Sequence, residues 1–162
     1  GTSYSVAIKA NGTLWTWGMN YNGQLGDGTT THRNVPTQLG SQTDWQSISA
    51  GSDHTFAIKS DGTLWAWGNN NIGQLGDGSF QNIYTPIQIG NSNDWELIEA
   101  SLDVSFAIKK DGSLWAWGYN YSGQLGNGTI ADSTRPVAVS GLADLAQIAA
   151  GGYHTCARLT DG

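Results

Sequence analysis

Gly23-Gln24-Leu25-Gly26-Asp27-Gly28 returns as Gly73-Gln74-Leu75-Gly76-Asp77-Gly78 and once more as Gly123-Gln124-Leu125-Gly126-Asn127-Gly128. Both intervals are 50 residues, without insertion or deletion. Leu-Trp-x-Trp-Gly keeps the same register from Leu14, Leu64 and Leu114, and one proline stands in each copy, at Pro36, Pro86 and Pro136. A period of this length marks a repeat architecture, in which each unit buries its apolar faces only against neighbours of its own kind. The copies run 1–50, 51–100 and 101–150, each read as one unit, and 151–162 opens a fourth. Positions identical in every copy report what the fold requires; positions that differ are free for another purpose.

The middle copy shows what one unit is. Thr55-Phe56-Ala57-Ile58-Lys59 is β-prone, and Asp61-Gly62 separates it from Leu64-Trp65-Ala66-Trp67-Gly68. Asp-Gly between two such runs predicts a hairpin with a type I′ turn, and Asn11-Gly12, Asp111-Gly112 and Asp161-Gly162 repeat the signal. Strand alternation puts Trp65 and Trp67 on one side and Leu64 and Ala66 on the other. Both sides are apolar, so the strand should be covered on both faces, as in a sheet stacked between two others. Trp15, Trp17, Trp65, Trp67, Trp115 and Trp117 are accordingly structural and expected to be largely buried between units. Gly23, Gly26, Gly73, Gly76, Gly123 and Gly126 belong to a loop whose backbone takes conformations denied to other residues. Pro86 suits the start of a strand or a sheet edge, with a third run in Ile87-Gln88-Ile89 and a fourth in Trp95–Ala100.

Four short strands per copy and no helical periodicity predict an all-β fold of β-propeller blades, each about four antiparallel strands. Rings close with roughly four to eight blades. About three blades therefore imply a partial ring. The sequence is expected to be part of a longer chain with further repeats, self-association to close the ring being the alternative. The tail 151–162 should supply the first hairpin strand of a further blade.

Composition removes several function classes. A net charge of −6, with 7 Lys and Arg in all, argues against nucleic acid, whose phosphates call for clustered cations. No stretch approaches the ~20 apolar residues of a membrane span. No signal-peptide pattern or basic leader opens the sequence. Cys156 is alone, which excludes an internal disulfide framework and predicts a buried structural thiol. Little Lys beside much Asn, Thr, Ser and Gly leans toward a secreted or surface bacterial protein.

Gly-Ser-Asp-His-Thr-Phe-Ala-Ile at 51–58, Asp-Gly-Thr-Leu-Trp-Ala-Trp-Gly at 61–68 and Gly-Gln-Leu-Gly-Asp-Gly at 73–78 resemble the repeat of the regulator of chromosome condensation family. The resemblance covers the whole chain. It implies a β-propeller, usually seven-bladed, that serves mostly as a platform for protein–protein contact. Relatives include an exchange factor for a small GTPase, a plant ultraviolet photoreceptor and a secreted bacterial inhibitor of β-lactamases. The exchange factor relies on a wedge beyond its repeats, for which unbroken 50-residue spacing leaves no room. The photoreceptor places Trp before the His-Thr of its repeats, where this chain has Asp53 and Tyr153.

Catalytic patterns are weak throughout. His54 and His154 share one slot 100 residues apart, with Val104 between them, which fits a hydrogen-bonded structural His; His32 reads as an exposed loop residue. Gly-x-x-Gly-x-Gly joins strands and opens no helix, so it lacks the geometry of a phosphate cradle. Asn69-Asn70-Asn71 with Asp77 lacks the ligand spacing of a calcium loop. The only two Glu, Glu96 and Glu99, share one short strand without a partner motif, and Arg33, Arg135 and Arg158 occupy unrelated slots, against a glycosidase. No enzyme activity, cofactor or metal is expected.

Binding residues are expected where the copies disagree, in two loops. The loop after Trp-Gly offers Met19, Tyr21, Ile72, Tyr119 and Tyr121; the loop after Gly-x-Gly offers Arg33, Phe80, Tyr84 and Arg135. Tyr and Arg commonly anchor interfaces. A protein partner is the first reading and a lectin-like carbohydrate binder the second. A non-catalytic part of a larger secreted enzyme is the third.

Overall fold

The computed structural model of the chain describes residues 1–142, 145–150 and 155–159. Its strands are β1 (Tyr4–Ile8), β2 (Leu14–Gly18), β3 (Arg33–Leu39), β4 (Trp45–Ala50), β5 (His54–Lys59), β6 (Leu64–Gly68) and β7 (Ile83–Gln88), then β8 (Trp95–Ala100), β9 (Val104–Lys109), β10 (Leu114–Gly118), β11 (Ser133–Ala138), β12 (Leu145–Ala150) and β13 (Thr155–Leu159). No helix occurs among the described residues. The strands form four antiparallel meanders, β1-β2-β3, β4-β5-β6-β7, β8-β9-β10-β11 and β12-β13. The first strands β4, β8 and β12 lie side by side. This is the all-β, partial propeller that the periodicity predicts.

The sheets are out of phase with the sequence copies. The last run of each copy pairs with the first strand of the next, as Ile98 does with Ala107. A complete sheet therefore runs from Trp45 to Gln88 or from Trp95 to Ala138. This corrects the identification of 51–100 and 101–150 with single blades. The cause is local: β4 turns directly into β5, with Gly51 N–H donating to His54 O at 2.9 Å. β13 is likewise the second strand of its sheet, paired with β12. His154, Tyr153 and the Asp161-Gly162 pair lie outside the described residues.

The Asp-Gly and Asn-Gly pairs are hairpin tips, but of another turn type. Gly62 N–H donates to Lys59 O at 2.9 Å while Lys59 N–H donates to Thr63 O at 3.0 Å. The connection is thus three residues, a type I turn closed by a glycine in the left-handed region, φ +81°. Asp61 Oδ1 accepts from Thr63 N–H and Oγ1 at 3.0 and 2.7 Å, bonds that favour a type I turn over the I′ form. The proline slot is at an edge: β7 is an outermost strand, and its register against β6 shifts between Ala66 and Gly68. The strand starts before Pro86, earlier than the sequence reading placed it.

Each apolar cluster is an interface between two sheets. Leu14, Trp45, Ala57 and Trp67 join the first to the second; Phe56, Ile58, Leu64, Leu75, Ile98 and Trp117 join the second to the third; Phe106, Ile108, Leu125, Leu145 and Ile148 join the third to the fourth. Trp67 and Trp117 are fully buried there, at 0 % exposure. Trp15, Trp17, Trp65 and Trp115 are only half-buried, which corrects the expectation for those four. Trp65 and Trp115 lie nearer the hairpin tips, where Lys59 and Lys109 stand 4.6 and 5.0 Å from their ring centroids; Lys9 covers Trp15 at 3.5 Å. Cys156 is exposed rather than buried. It occupies the slot of Phe56 and Phe106, which a following sheet covers, and no following sheet exists among the described residues.

Candidate interaction surface

The repeated loop is a rigid piece of structure built on one asparagine. Asn20 is fully buried. Its Nδ2 donates to Thr29 O at 2.9 Å, Thr31 O at 3.2 Å and Asp27 Oδ1 at 3.2 Å, while its Oδ1 accepts from Leu25 N–H at 2.9 Å. Asn70 and Asn120 make the equivalent bond to Leu75 and Leu125. The backbone N–H of each donates to the far side of the loop, at His32 Nδ1, Asn82 Oδ1 and Asp132 Oδ1. A variable residue type thus performs an invariant task, and His32 is exposed but engaged. The asparagines are legible as identities at 50-residue spacing, though their role as the loop's anchor is not.

The same loops tie one sheet to the next. Gln24 Nε2 donates to Asp53 Oδ1 at 2.8 Å, and Gln24 O accepts from both Trp67 Nε1 and Thr55 Oγ1, at 3.0 and 2.9 Å. Gln74 O repeats this with Trp117 Nε1 and Ser105 Oγ at 2.9 and 2.8 Å. Gly26 and Gly76 are fixed by the contact: a Cβ there would lie 2.8 and 2.7 Å from the Trp Nε1, at φ of +75° and +79°. Burial pushes the Asp103 carboxyl upward, helped by Asp53. His54, wholly buried with Ser105 Oγ 3.3 Å from its Nε2, is held by burial at a pKa of about 3. It is a structural residue facing the next sheet.

The residues expected to bind fall into two groups. Tyr21 and Tyr121 are 68 % and 73 % exposed, and Phe80 is 55 % exposed. Ile130, at 71 %, joins them. Tyr21 is not loose, since its ring stands edge-on to His32 at 4.4 Å. The others serve the scaffold in part. Arg33 binds Asp27, Nε to Oδ2 at 2.8 Å. Burial alone would raise the Asp27 carboxyl, but hydrogen bonds from Thr29 and Arg33 bring it below the usual range. Tyr84 is exposed on one side and packs its ring on Gly23, whose Cβ would lie 2.3 Å from Tyr84 Cδ1. Arg135 is exposed and lies over Gly78 in the same way. Met19, Ile72 and Tyr119 are half-buried, and Tyr119 packs against an apolar cluster.

Neighbouring loops meet. Asn82 Nδ2 donates to Asn22 Oδ1 at 3.3 Å, and the N–H groups of Gly28 and Gly78 donate to Tyr84 O and Thr134 O at 2.9 and 2.8 Å. The loops after Trp-Gly and after Gly-x-Gly thus run as a ridge from the first copy to the second, and the second copy's loop meets the start of β11 in the third. Among the described residues, no group of three or more His, Cys, Asp or Glu is placed to hold a metal ion, and no helix is long and apolar enough to cross a membrane.

A family model described as the Regulator of chromosome condensation (RCC1) repeat matches residues 11–58, 61–108 and 111–158. A second model of that description matches 45–74 and 97–124. Among solved structures, Prp20p of Saccharomyces cerevisiae is similar at 21 % identity and a TM-score of 0.88, over 97 % of this chain and 42 % of that one. The yeast protein bound to Kap60 gives a TM-score of 0.87 at 21 % identity, over 96 % of this chain and 40 % of that one. Human WBSCR16 gives 0.59 at 19 % identity, over 99 % and 56 %. The chain thus spans about two-fifths of the yeast protein it matches.

Proposed function

The chain belongs to the regulator of chromosome condensation repeat family, and on that premise we propose that it is a binding module without catalytic chemistry, recognising a protein through the loop ridge. One observation carries the reading. Large apolar side chains in the variable loops of all three copies, Tyr21, Phe80, Tyr121 and Ile130, project from loops that are each anchored by a buried asparagine. A rigid base presenting exposed aromatics loses little entropy on association. The yeast neighbour is described by its binding to Gsp1p and histones, and in a second structure it is bound to Kap60. A family whose members bind proteins supports the same class of partner here.

The test uses the three most exposed aromatics of the variable loops. A partner captured by the immobilised chain from its native source is purified and titrated back against the parent chain and the Tyr21→Ser, Phe80→Ser, Tyr121→Ser triple variant. Loss of a true anchor costs about 2 kcal/mol, roughly thirtyfold in affinity. Unchanged affinity in the folded triple variant would remove the ridge as the binding surface.

A further inference from the structure

Beside the ridge, a groove of about 430 Å³ opens between the outer strands of the first two sheets, lined by Asp27, Gln38, Leu39, Gln42, Trp65 and Thr85 among others. That volume lies within the roughly 300–1,000 Å³ of small-ligand sites. Trp65 is the only aromatic ring on its wall. The indole N–H is spent internally, donating to Thr63 Oγ1 at 2.9 Å. Trp45 stands edge-on to the ring at 5.9 Å, and Lys59 Nζ is 4.6 Å from its centroid. Trp65 therefore presents ring carbon on a fixed plate.

Polar groups border that plate. Gln38 spends its Nε2 on Gly40 O at 3.0 Å, which leaves its side-chain carbonyl for a ligand. Gln42 is exposed and Thr85 adds a hydroxyl. Asp27 is the one ionised group on the wall and is paired with Arg33, and Lys59 beside the Trp65 ring is paired with Asp44. An anion would find no unpaired counter-charge, and burying one unpaired is costly. A flat apolar plate with amide and hydroxyl groups along its border matches a sugar ring, which has a C–H face and a hydroxylated rim.

The next interface carries different side chains at the same slots. Trp115 occupies the slot of Trp65, but Arg135 stands where the first groove has Thr85, and Ser92 where it has Gln42. Arg135 reaches across its glycine: a Cβ on Gly78 would lie 2.3 Å from Nη2, whereas one on Gly28 would meet only Thr85 Cγ2 at 3.6 Å. The copies agree on the plate and differ in the size and charge of the side chain at the Thr85 slot.

We infer that the groove over Trp65 binds a neutral saccharide, stacked on the indole and hydrogen-bonded to Gln38, Gln42 and Thr85. The groove adjoins the ridge at Asp27, but none of Tyr21, Phe80 and Tyr121 lines it, so either can fail alone. Cellotriose, maltotriose, mannotriose and chitotriose are titrated to millimolar concentration while the Trp65 indole N–H is followed by NMR. At least one should shift that signal. Gln42→Ala should weaken the binding about fivefold, as loss of one hydrogen bond does. Thr85→Arg, which places at that slot the residue the chain already accommodates at Arg135, should abolish it. The Tyr21→Ser, Phe80→Ser, Tyr121→Ser variant should bind the sugar unchanged. A glycoprotein with neutral high-mannose chains, tested with and without its glycans, separates a protein-borne glycan from a free saccharide as the source. No shift with any trisaccharide, equal binding by Thr85→Arg, or glycoprotein binding that survives deglycosylation would each overturn the assignment.

Discussion

A single slot illustrates how side chains here answer to the neighbouring sheet. Tyr4, His54 and Val104 begin β1, β5 and β9. Tyr4 Oη lies 2.9 Å from Thr55 Oγ1 and donates to His54 O at 2.5 Å; burial drives its phenol far above the ordinary range. His54 faces Ser105, and its depressed pKa makes stability depend on pH. The unfolded chain binds the proton near pH 6.5 and the folded one only near 3, so the contribution is complete above pH 6.5 and is lost as pH falls toward 3. The raised Asp103 carboxyl works in the opposite direction, since the folded state holds that proton more tightly. Replacing His54 with Val, the residue of the equivalent slot at Val104, should flatten the acid limb by about 2–5 kcal/mol. Urea midpoints from pH 7 to 4 check this; parallel parent and variant curves would contradict it.

The hairpins and the Gly-Gln-Leu-Gly loop were readable from sequence because their constraints are local: a turn needs its glycine, and the glycine is visible. Gly76→Ala should cost about 2–4 kcal/mol, combining left-handed strain with a collision at Trp117 Nε1. Gly90, at φ +63° with nothing within 4 Å of a Cβ, should lose only about 1 kcal/mol on the same change. Equal losses in denaturant titrations would show that the Trp117 contact contributes nothing. The phase of the sheets was not readable, because a periodic pattern looks the same wherever it is cut. Only the turn at Gly51 decides that β4 joins β5. Tyr84 carries no local sign of its packing for a related reason: it belongs to β7 and packs on Gly23 of the preceding copy. Interaction across copies leaves no local mark.

At the scale of the molecule, stability is a sum of sheet stabilities and interface terms. The phase then has a measurable consequence. A fragment of residues 45–142 keeps two complete sheets and the interface of Phe56 with Trp117, whose rings lie 5.6 Å apart. A fragment of 51–148, of equal length, begins after β4 and ends by adding β12, which it leaves without its partner β13. The first should melt cooperatively and at the higher temperature by circular dichroism and near-ultraviolet signals. A sharper or higher transition in the second would mean that the sequence copy, not the sheet, is the folding unit. Neither the ridge nor the groove could have been located from one copy, since both consist of residues from two.

The stagger between copy and sheet also bears on how such a chain can lengthen. Fifty codons duplicated in phase with the sequence copies, as for 51–100, would insert strands whose hydrogen-bonding partners lie on both sides of the insertion. The newcomer would be laced into its neighbours by backbone bonds before any side chain packed. Growth by whole repeats therefore leaves no loose sheet, and every added copy arrives with its seams already closed.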